Sequence, residues 1–279
     1  PELRSRLRRL SLTPRRPAIL SGAGLHDSRN RGGGLEFAQY RAYERGDDLR
    51  RIDWKLYARS DRLFVRDAER ESPIAAWIVL DASASMAQAD LATPDWTRFD
   101  AALRLAASLI EIALHQGDRF GVCVVSEARP LVVEPGGGPP HRDRIFRALA
   151  PLRPAGAGRW AQATPVLGER LGAHDLVLIL SDGFDEACVA SAERLAASGR
   201  DVALLQILTA DERDFPFDRG YRFEAPESAL RDAYLKRFAQ AREALAARLD
   251  ARGVRHVAWF VDEGADQPIR ALFRETGRR

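Results

Sequence analysis

Ile74-Ala75-Ala76-Trp77-Ile78-Val79-Leu80-Asp81-Ala82-Ser83-Ala84-Ser85-Met86 sets the reading of this chain. Its apolar part is rich in β-formers and too short for a typical helix. It stops at a carboxylate followed by two hydroxyls at alternate positions, which predicts a buried parallel strand ending in a site. While the chain stays extended past the strand, every second side chain faces the same way, so Asp81, Ser83 and Ser85 converge on one point. All three offer oxygen, a hard-cation set suited to Mg²⁺ or Mn²⁺, and in open α/β sheets ligands bind at the carboxyl ends of strands.

A second stretch, Asp175-Leu176-Val177-Leu178-Ile179-Leu180-Ser181-Asp182-Gly183, reads as another buried strand, ending in S-D-G. The two together resemble the metal-ion-dependent adhesion site of von Willebrand factor A domains, with D-x-S-x-S as its first loop and S-D-G presenting its last carboxylate. The resemblance implies a divalent-cation site of Asp81, Ser83, Ser85 and Asp182, plus a threonine from an intervening loop, usually just after a G-G pair. Here the sequence departs. Gly156-Ala157-Gly158-Arg159-Trp160-Ala161 puts Arg159 at that place, and the nearest threonine is Thr164, before Pro165. Either a longer loop delivers Thr164, or Arg159 fills the position and its guanidinium opposes, and so substitutes for, the cation. The same run satisfies G-x-G-x-x-A, but it follows Leu152-Arg153-Pro154 instead of an apolar strand, so it has no phosphate cradle.

Composition sets the class. With 279 residues, 46% hydrophobic and 30% charged, the chain can bury a full core as one large domain, or one domain plus an appendage. No run approaches the ~18 consecutive apolar residues of a membrane span, and the N-terminal stretch lacks the apolar core of a secretory signal. The sequence opens on Pro1 without an initiator methionine, which leaves room for a segment before it. Lys+Arg 43 against Asp+Glu 40 gives only +3, a mild bias that implies no nucleic-acid partner. Cys123 and Cys188 lie in apolar contexts outside any C-x-x-C pair, which reads as two buried thiols in a reducing cytoplasm.

Residues 1–20 form a basic arm with Arg4, Arg6, Arg8, Arg9, Arg15 and Arg16, either a solvated tail or a short amphipathic helix up to Leu12. From 21 to 72 the composition turns to glycine and paired charges: Arg31-Gly32-Gly33-Gly34-Leu35-Glu36-Phe37, then Arg41-Ala42-Tyr43-Glu44-Arg45-Gly46-Asp47-Asp48-Leu49-Arg50-Arg51-Ile52-Asp53-Trp54 and Ala58-Arg59. This block resembles the bacterial family catalogued as domain of unknown function 58, whose members carry it directly before a von Willebrand-like domain. Arg41, Asp47, Asp48, Arg50, Asp53 and Trp54 read either as a docking surface or as an internal ion-pair and packing network. Trp54 and Phe64 are expected to anchor in the core.

Over 73–279 strands and helices alternate, which predicts a doubly wound, mainly parallel α/β sheet. Ala87 to Thr97 reads as a polar loop and Arg98 to His115 as a largely buried helix. Strands follow at 119–126 and 129–134, the second an edge because of Pro130. Helices are expected at 142–151, 163–172 and 186–198, a strand at 201–208 and an insertion near 209–228. A long helix then runs from about Ser228 to Arg252 with Leu230, Tyr234, Phe238, Ala241, Leu245 and Leu249 on one face. A strand at 256–261 and a helix at 268–276 close the chain.

Enzyme motifs are missing. There is no G-x-S-x-G elbow, H-E-x-x-H or P-loop lysine pattern, and where phosphatases with a strand-end Asp nucleophile need a second Asp, this chain has Ser83. The reading is therefore a binding module: two carboxylates and two or three hydroxyls around Mg²⁺ or Mn²⁺ leave a position for a partner's acidic side chain. The family resemblance further implies an adaptor or chaperone-like role beside a MoxR-type AAA+ ATPase and a client protein. The alternatives are a structural interaction module with a degenerate, metal-free site and, behind it, a metal-dependent hydrolase.

Overall fold

The structure is a computed structural model that describes residue 12, residues 39–42, residue 52 and residues 54–67, 75–173, 175–215 and 227–273. The rest of the basic arm, the glycine run, Asp47, Asp48, Arg50, Asp53 and the 216–226 part of the insertion lie outside the described residues, and Arg41 is described in its backbone only. The chain divides into two compact units, Leu20–Pro73 and the remainder.

In the smaller unit, β1 (Gln39–Ala42) pairs antiparallel with β2 (Phe64–Asp67), with α1 (Trp54–Ser60) between them in sequence. The core anchor expected at Trp54 is not there. Trp54 is 61% exposed and meets Tyr57, one turn on, edge-to-face at 6.2 Å between centroids. A helix of seven residues brings i and i+3 together on its own surface, and the aromatic pair forms there instead of in a core. Phe64 is half-buried.

The larger unit is built on six strands: β3 (Ala75–Asp81), β6 (Arg119–Val125), β7 (Leu131–Gly136), β8 (Leu176–Ser181), β9 (Asp201–Leu208) and β10 (Arg255–Phe260). Their order across the sheet is β10-β9-β8-β3-β6-β7, all parallel except the antiparallel edge strand β7. That is the doubly wound sheet the alternation predicts, and Pro130 indeed precedes an edge. From β3 the chain winds outward to β6 and β7, then returns to place β8 on the other side of β3. The topological switch point therefore lies between the carboxyl ends of β3 and β8, where open α/β sheets leave a crevice.

Strand side chains alternate between two apolar layers. Ile78, Leu80, Val122, Val124, Leu178 and Leu180 pack with helix α2 (Arg98–Gln116), α3 (Gly138–Leu149) and α8 (Asp266–Phe273). Trp77, Val79, Cys123, Val177 and Ile179 face α4 (Trp160–Gly168), α5 (Glu186–Ala197) and the end of α7 (Glu227–Ala251). Being covered on both faces explains why β3 and β8 read as unbroken apolar runs. Leu12 joins the first layer, and its N–H donates to Gln116 Oε1 at 2.8 Å.

Several boundaries differ from expectation. The 87–97 loop contains a small hairpin, β4 (Ala89–Asp90) and β5 (Thr93–Thr97), entered through a 3-10 turn at Ala84–Ala87. α3 begins earlier because Pro139 and Pro140 occupy its first turn, where a missing N–H is harmless. The insertion opens with α6 (Ala210–Asp214), held by a capping box from Thr209 and Glu212. On α7 Ala241 is exposed and only Leu249 is buried among residues 231–251, so the expected apolar face is shallow.

Candidate functional site

Asp81 is fully buried at the end of β3, yet both carboxylate oxygens are engaged. Oδ1 accepts from Ser83 N at 2.9 Å and Oδ2 from Ser181 Oγ at 2.6 Å. The first bond turns the chain, and Ser83 and Ser85 meet Oγ to Oγ at 3.2 Å, although from Ala84 the chain is a 3-10 turn and not the extended segment that the alternate-spacing expectation assumes. Ser181 ties the ends of β3 and β8 across the switch point, and its Oγ also accepts from Gly183 N at 3.1 Å. Gly183 holds φ +72, a left-handed conformation that closes the S-D-G turn at little strain. Burial pushes the Asp81 carboxyl above its ordinary range, opposed by the Ser181 and Ser83 bonds and reinforced by the nearby Asp182 charge.

Asp182 is also buried, and it is already paired with a cation of the chain's own. Arg98 Nη1 donates to Asp182 Oδ2 at 3.3 Å and to the Ser85 carbonyl at 3.1 Å, while Nη2 meets Glu212 Oε1. The Arg98 guanidinium lies 5.5 Å from the Phe184 ring centroid, and Phe184 itself is half exposed. Sequence reasoning missed Arg98, although a signal existed. It is the first residue of α2, capped by the Thr97/Asp100 box, and a buried basic residue at a helix N-terminus opposes the helix dipole. Only carboxylates close by make that placement tolerable, and Asp182 and Glu212 supply them.

The structure places the two doubtful residues elsewhere. Thr164 is buried in α4, its Oγ1 2.7 Å from Trp160 O and 2.6 Å from Ser191 Oγ, so its hydroxyl is spent between α4 and α5. The reason is local: α4 begins at Trp160, three residues before the expected start, and carries Thr164 inward, not into the loop. Arg159 is exposed at the start of α4 and has no ion pair with Asp81 or Asp182. The guanidinium that meets Asp182 is that of Arg98, not Arg159. The loop before α4 still lies over the D-x-S-x-S turn, with Ala84 N donating to Gly156 O at 2.8 Å and Ala155 N to Ala82 O at 3.0 Å.

The rim is closed by the residues after β9. Asp211 Oδ2 accepts from Leu91 N at 2.7 Å, and Asp211 N donates to Asp90 Oδ1 at 2.8 Å, which fastens α6 to the small hairpin. Behind Asp182, Gln206 Nε2 donates to its carbonyl at 3.0 Å, and His256 Nε2 meets Gln206 Oε1 at 3.1 Å. Taken as donors, Asp81, Ser83 and Ser85 fit a hard divalent ion: anionic and hydroxyl oxygens side by side, with Ser85 open to solvent. Asp182 fits less well, because Arg98 already neutralises it.

An uncharacterized protein of Mycobacterium tuberculosis (strain H37Rv) is 29% identical over 219 residues, 77% of this chain and 68% of its own length. One from Mycobacterium bovis matches equally. Among solved structures, an aerotolerance-related membrane protein from Bacteroides fragilis aligns over 71% of this chain and 96% of its own at 17% identity and TM-score 0.45. BatB from Bacteroides thetaiotaomicron aligns over 72% and 96% at 16% identity and the same TM-score. The family described as "Protein of unknown function DUF58" matches residues 39–255, and the chain belongs to that family.

Proposed function

We propose that this chain is a protein-interaction module that works by binding, not catalysis, and that its working face is the switch point at the ends of β3 and β8. The observation that carries this is the meeting of the Ser83 and Ser85 hydroxyls beside the buried Asp81. Asp81, Ser83, Ser85 and Asp182 are the residues that would hold Mg²⁺ or Mn²⁺. Bound there, the ion supplies positive charge and an open position that favours an incoming carboxylate over a neutral group. The chain's own residues orient the site: Ser181 fixes Asp81, Arg98 fixes Asp182, and the α6 rim limits approach. The partner class we assign is a MoxR-type AAA+ ATPase together with a client protein, met in the cytoplasm. No described helix is long and apolar enough to cross a membrane.

A second, metal-free reading is favoured by one contact, Arg98 on Asp182. In it the guanidinium supplies the positive charge permanently. Thermal unfolding separates the two. At a hundredfold excess over Kd an ion adds about 2.7 kcal/mol. For a domain of this size that is a rise of roughly 5–10 °C. The cation reading expects this rise with millimolar Mg²⁺ and its loss in Asp81→Ala, whereas an unchanged melting curve favours Arg98 alone. A pull-down of the ATPase with and without EDTA, repeated with Asp81→Ala and Asp53→Ala, then assigns the docking face.

A further inference from the structure

The two edges of the six-stranded sheet are built differently. At one edge β7 carries Pro135, which has no N–H, and the exposed Glu134 held by Arg170. A proline and a charge on an edge strand discourage another strand from adding there. At the other edge β10 reads Arg-His-Val-Ala-Trp-Phe, with no proline, lysine or acid, and it pairs only with β9. His256, Val257 and Ala258 are half-buried. Among the described residues, no hydrogen bond reaches the backbone of residues 256–259 from the side away from β9. This strand therefore offers a row of unused N–H and C=O groups.

That edge is also recessed. A cavity of about 250 Å³ is lined by Ala246 and Asp250 of α7, Val257 of β10, and Ala271 and Leu272 of α8. One water needs only roughly 10–15 Å³, so the space is of ligand size. α7 packs on the layer that holds Leu249 and Val254, and α8 on the opposite layer with Ile269 and Leu272. A space that touches both helices can lie only beyond the free edge of β10, because the sheet separates the two layers everywhere else. An alanine on each wall leaves width for a backbone, which pairs with an edge strand at about 4.8 Å.

The recess decides the occupant. A second copy presents the same strand between the same two walls, so neither β10 can reach the other, whereas a single extended chain can enter. The side chains of such a chain alternate between the walls. On the α8 side Val257, Ala271 and Leu272 offer an apolar surface. On the α7 side Asp250 is exposed, with no ion pair among the described residues. The cations nearby are engaged: Arg255 meets Asp201 at 3.0 Å, and Arg242 lies over the Phe238 and Phe260 rings. We propose that the β10 edge is a strand-addition site for an extended segment of a partner protein in which apolar and basic side chains alternate. Backbone hydrogen bonds along residues 256–259 supply the affinity, and the two walls supply the selection. The site is distinct from the strand-end face and needs no cation.

The test is amide hydrogen exchange followed by NMR on the ¹⁵N-labelled full chain, with the end-blocked peptide Lys-Val-Lys-Val-Lys-Val as probe and Glu-Val-Glu-Val-Glu-Val as control. In the free chain alternate amides of residues 256–259 are expected to exchange fast, and millimolar Lys-Val peptide to slow them. The Glu-Val peptide should bind about three- to tenfold more weakly, and Asp250→Asn should narrow that difference to about twofold or less. Ala271→Trp, at an exposed position, fills the groove and should abolish the response while the rest of the spectrum stays as it was. No slowing by the Lys-Val peptide, or equal slowing in Ala271→Trp, overturns the strand-addition site, and equal affinity for the two peptides overturns the choice of a basic partner. Should every amide of residues 256–259 be slow in the free chain, the edge is already covered. Protection lost on dilution then identifies a second copy, protection that persists identifies a segment of the same chain, and either overturns the proposal.

Discussion

Arg98→Met is the sharpest perturbation the structure offers. Methionine keeps the apolar stem under the Phe184 ring and deletes the guanidinium that meets Asp182, the Ser85 carbonyl and Glu212. Asp182 is 1% exposed and cannot turn to water, so it is left a buried charge without a partner, whereas Glu212, at 17% side-chain exposure, can relax outward. Breaking a buried pair from one side costs about 3–5 kcal/mol. With a urea slope of about 3 kcal/mol per molar, the midpoint reported by the buried Trp77, Trp160 and Trp259 falls by about 1–1.7 M. Mg²⁺ should then recover part of the loss, since the freed Asp182 joins Asp81 in holding it; at a hundredfold excess over Kd the recovery is about 2.7 kcal/mol. Asp182→Asn on top of Arg98→Met should cost little more, because the stranded charge is gone. A loss under about 1 kcal/mol, the range of exposed pairs, would refute the assignment of Arg98 as the site's internal counter-charge.

Thr164→Val should destabilise by about 1–2 kcal/mol through the Ser191 and Trp160 contacts, with any Mg²⁺-induced rise in melting temperature intact; loss of that rise would put Thr164 back among the ligands. His256 is held below its ordinary 6.5 by burial and by Arg242. The folded chain therefore binds fewer protons than the unfolded one as pH falls below that value, and stability declines on acidification. His256→Gln should flatten the urea midpoint between pH 7 and 5, and an unchanged slope would mean that other groups carry it. Burial pushes the Cys123 thiol up to about 12 and Cys188 well above its ordinary value, so neither should react with a disulfide reagent at pH 8 until denaturant is added.

What the sequence made legible was local. Asp81, Ser83 and Ser85 lie within five positions at one strand-end, so a local turn suffices to bring the two serines together, although that turn is 3-10 from Ala84 and not the extended chain on which a period of two relies. β9 was readable to its last residue because Asp201–Leu208 is apolar between two breaks. Arg98 was not legible, since its partners lie 84 and 114 positions away and a helix-start arginine ordinarily reads as solvated. Thr164 misled because the start of α4 decides which way it points, and boundaries of a few residues are what pattern reading resolves worst. Trp54 misled for the opposite reason: an aromatic residue in a short helix has no period from which a buried side can be judged.

The bonds that complete the site span very long stretches of chain: 100 residues from Asp81 to Ser181, 84 from Arg98 to Asp182, 120 from Leu91 to Asp211 and 121 from Asp90 to Asp211. Contacts of such separation are slow to form, because much chain must be ordered before any of them is rewarded. The D-x-S-x-S turn is synthesised before β8, β9 and α6, yet it acquires its geometry only when they have arrived. A chain truncated before residue 211, or stalled with half its sheet, therefore carries the motif without the residues that shape it, and the strand-end geometry is a property of the finished larger unit alone.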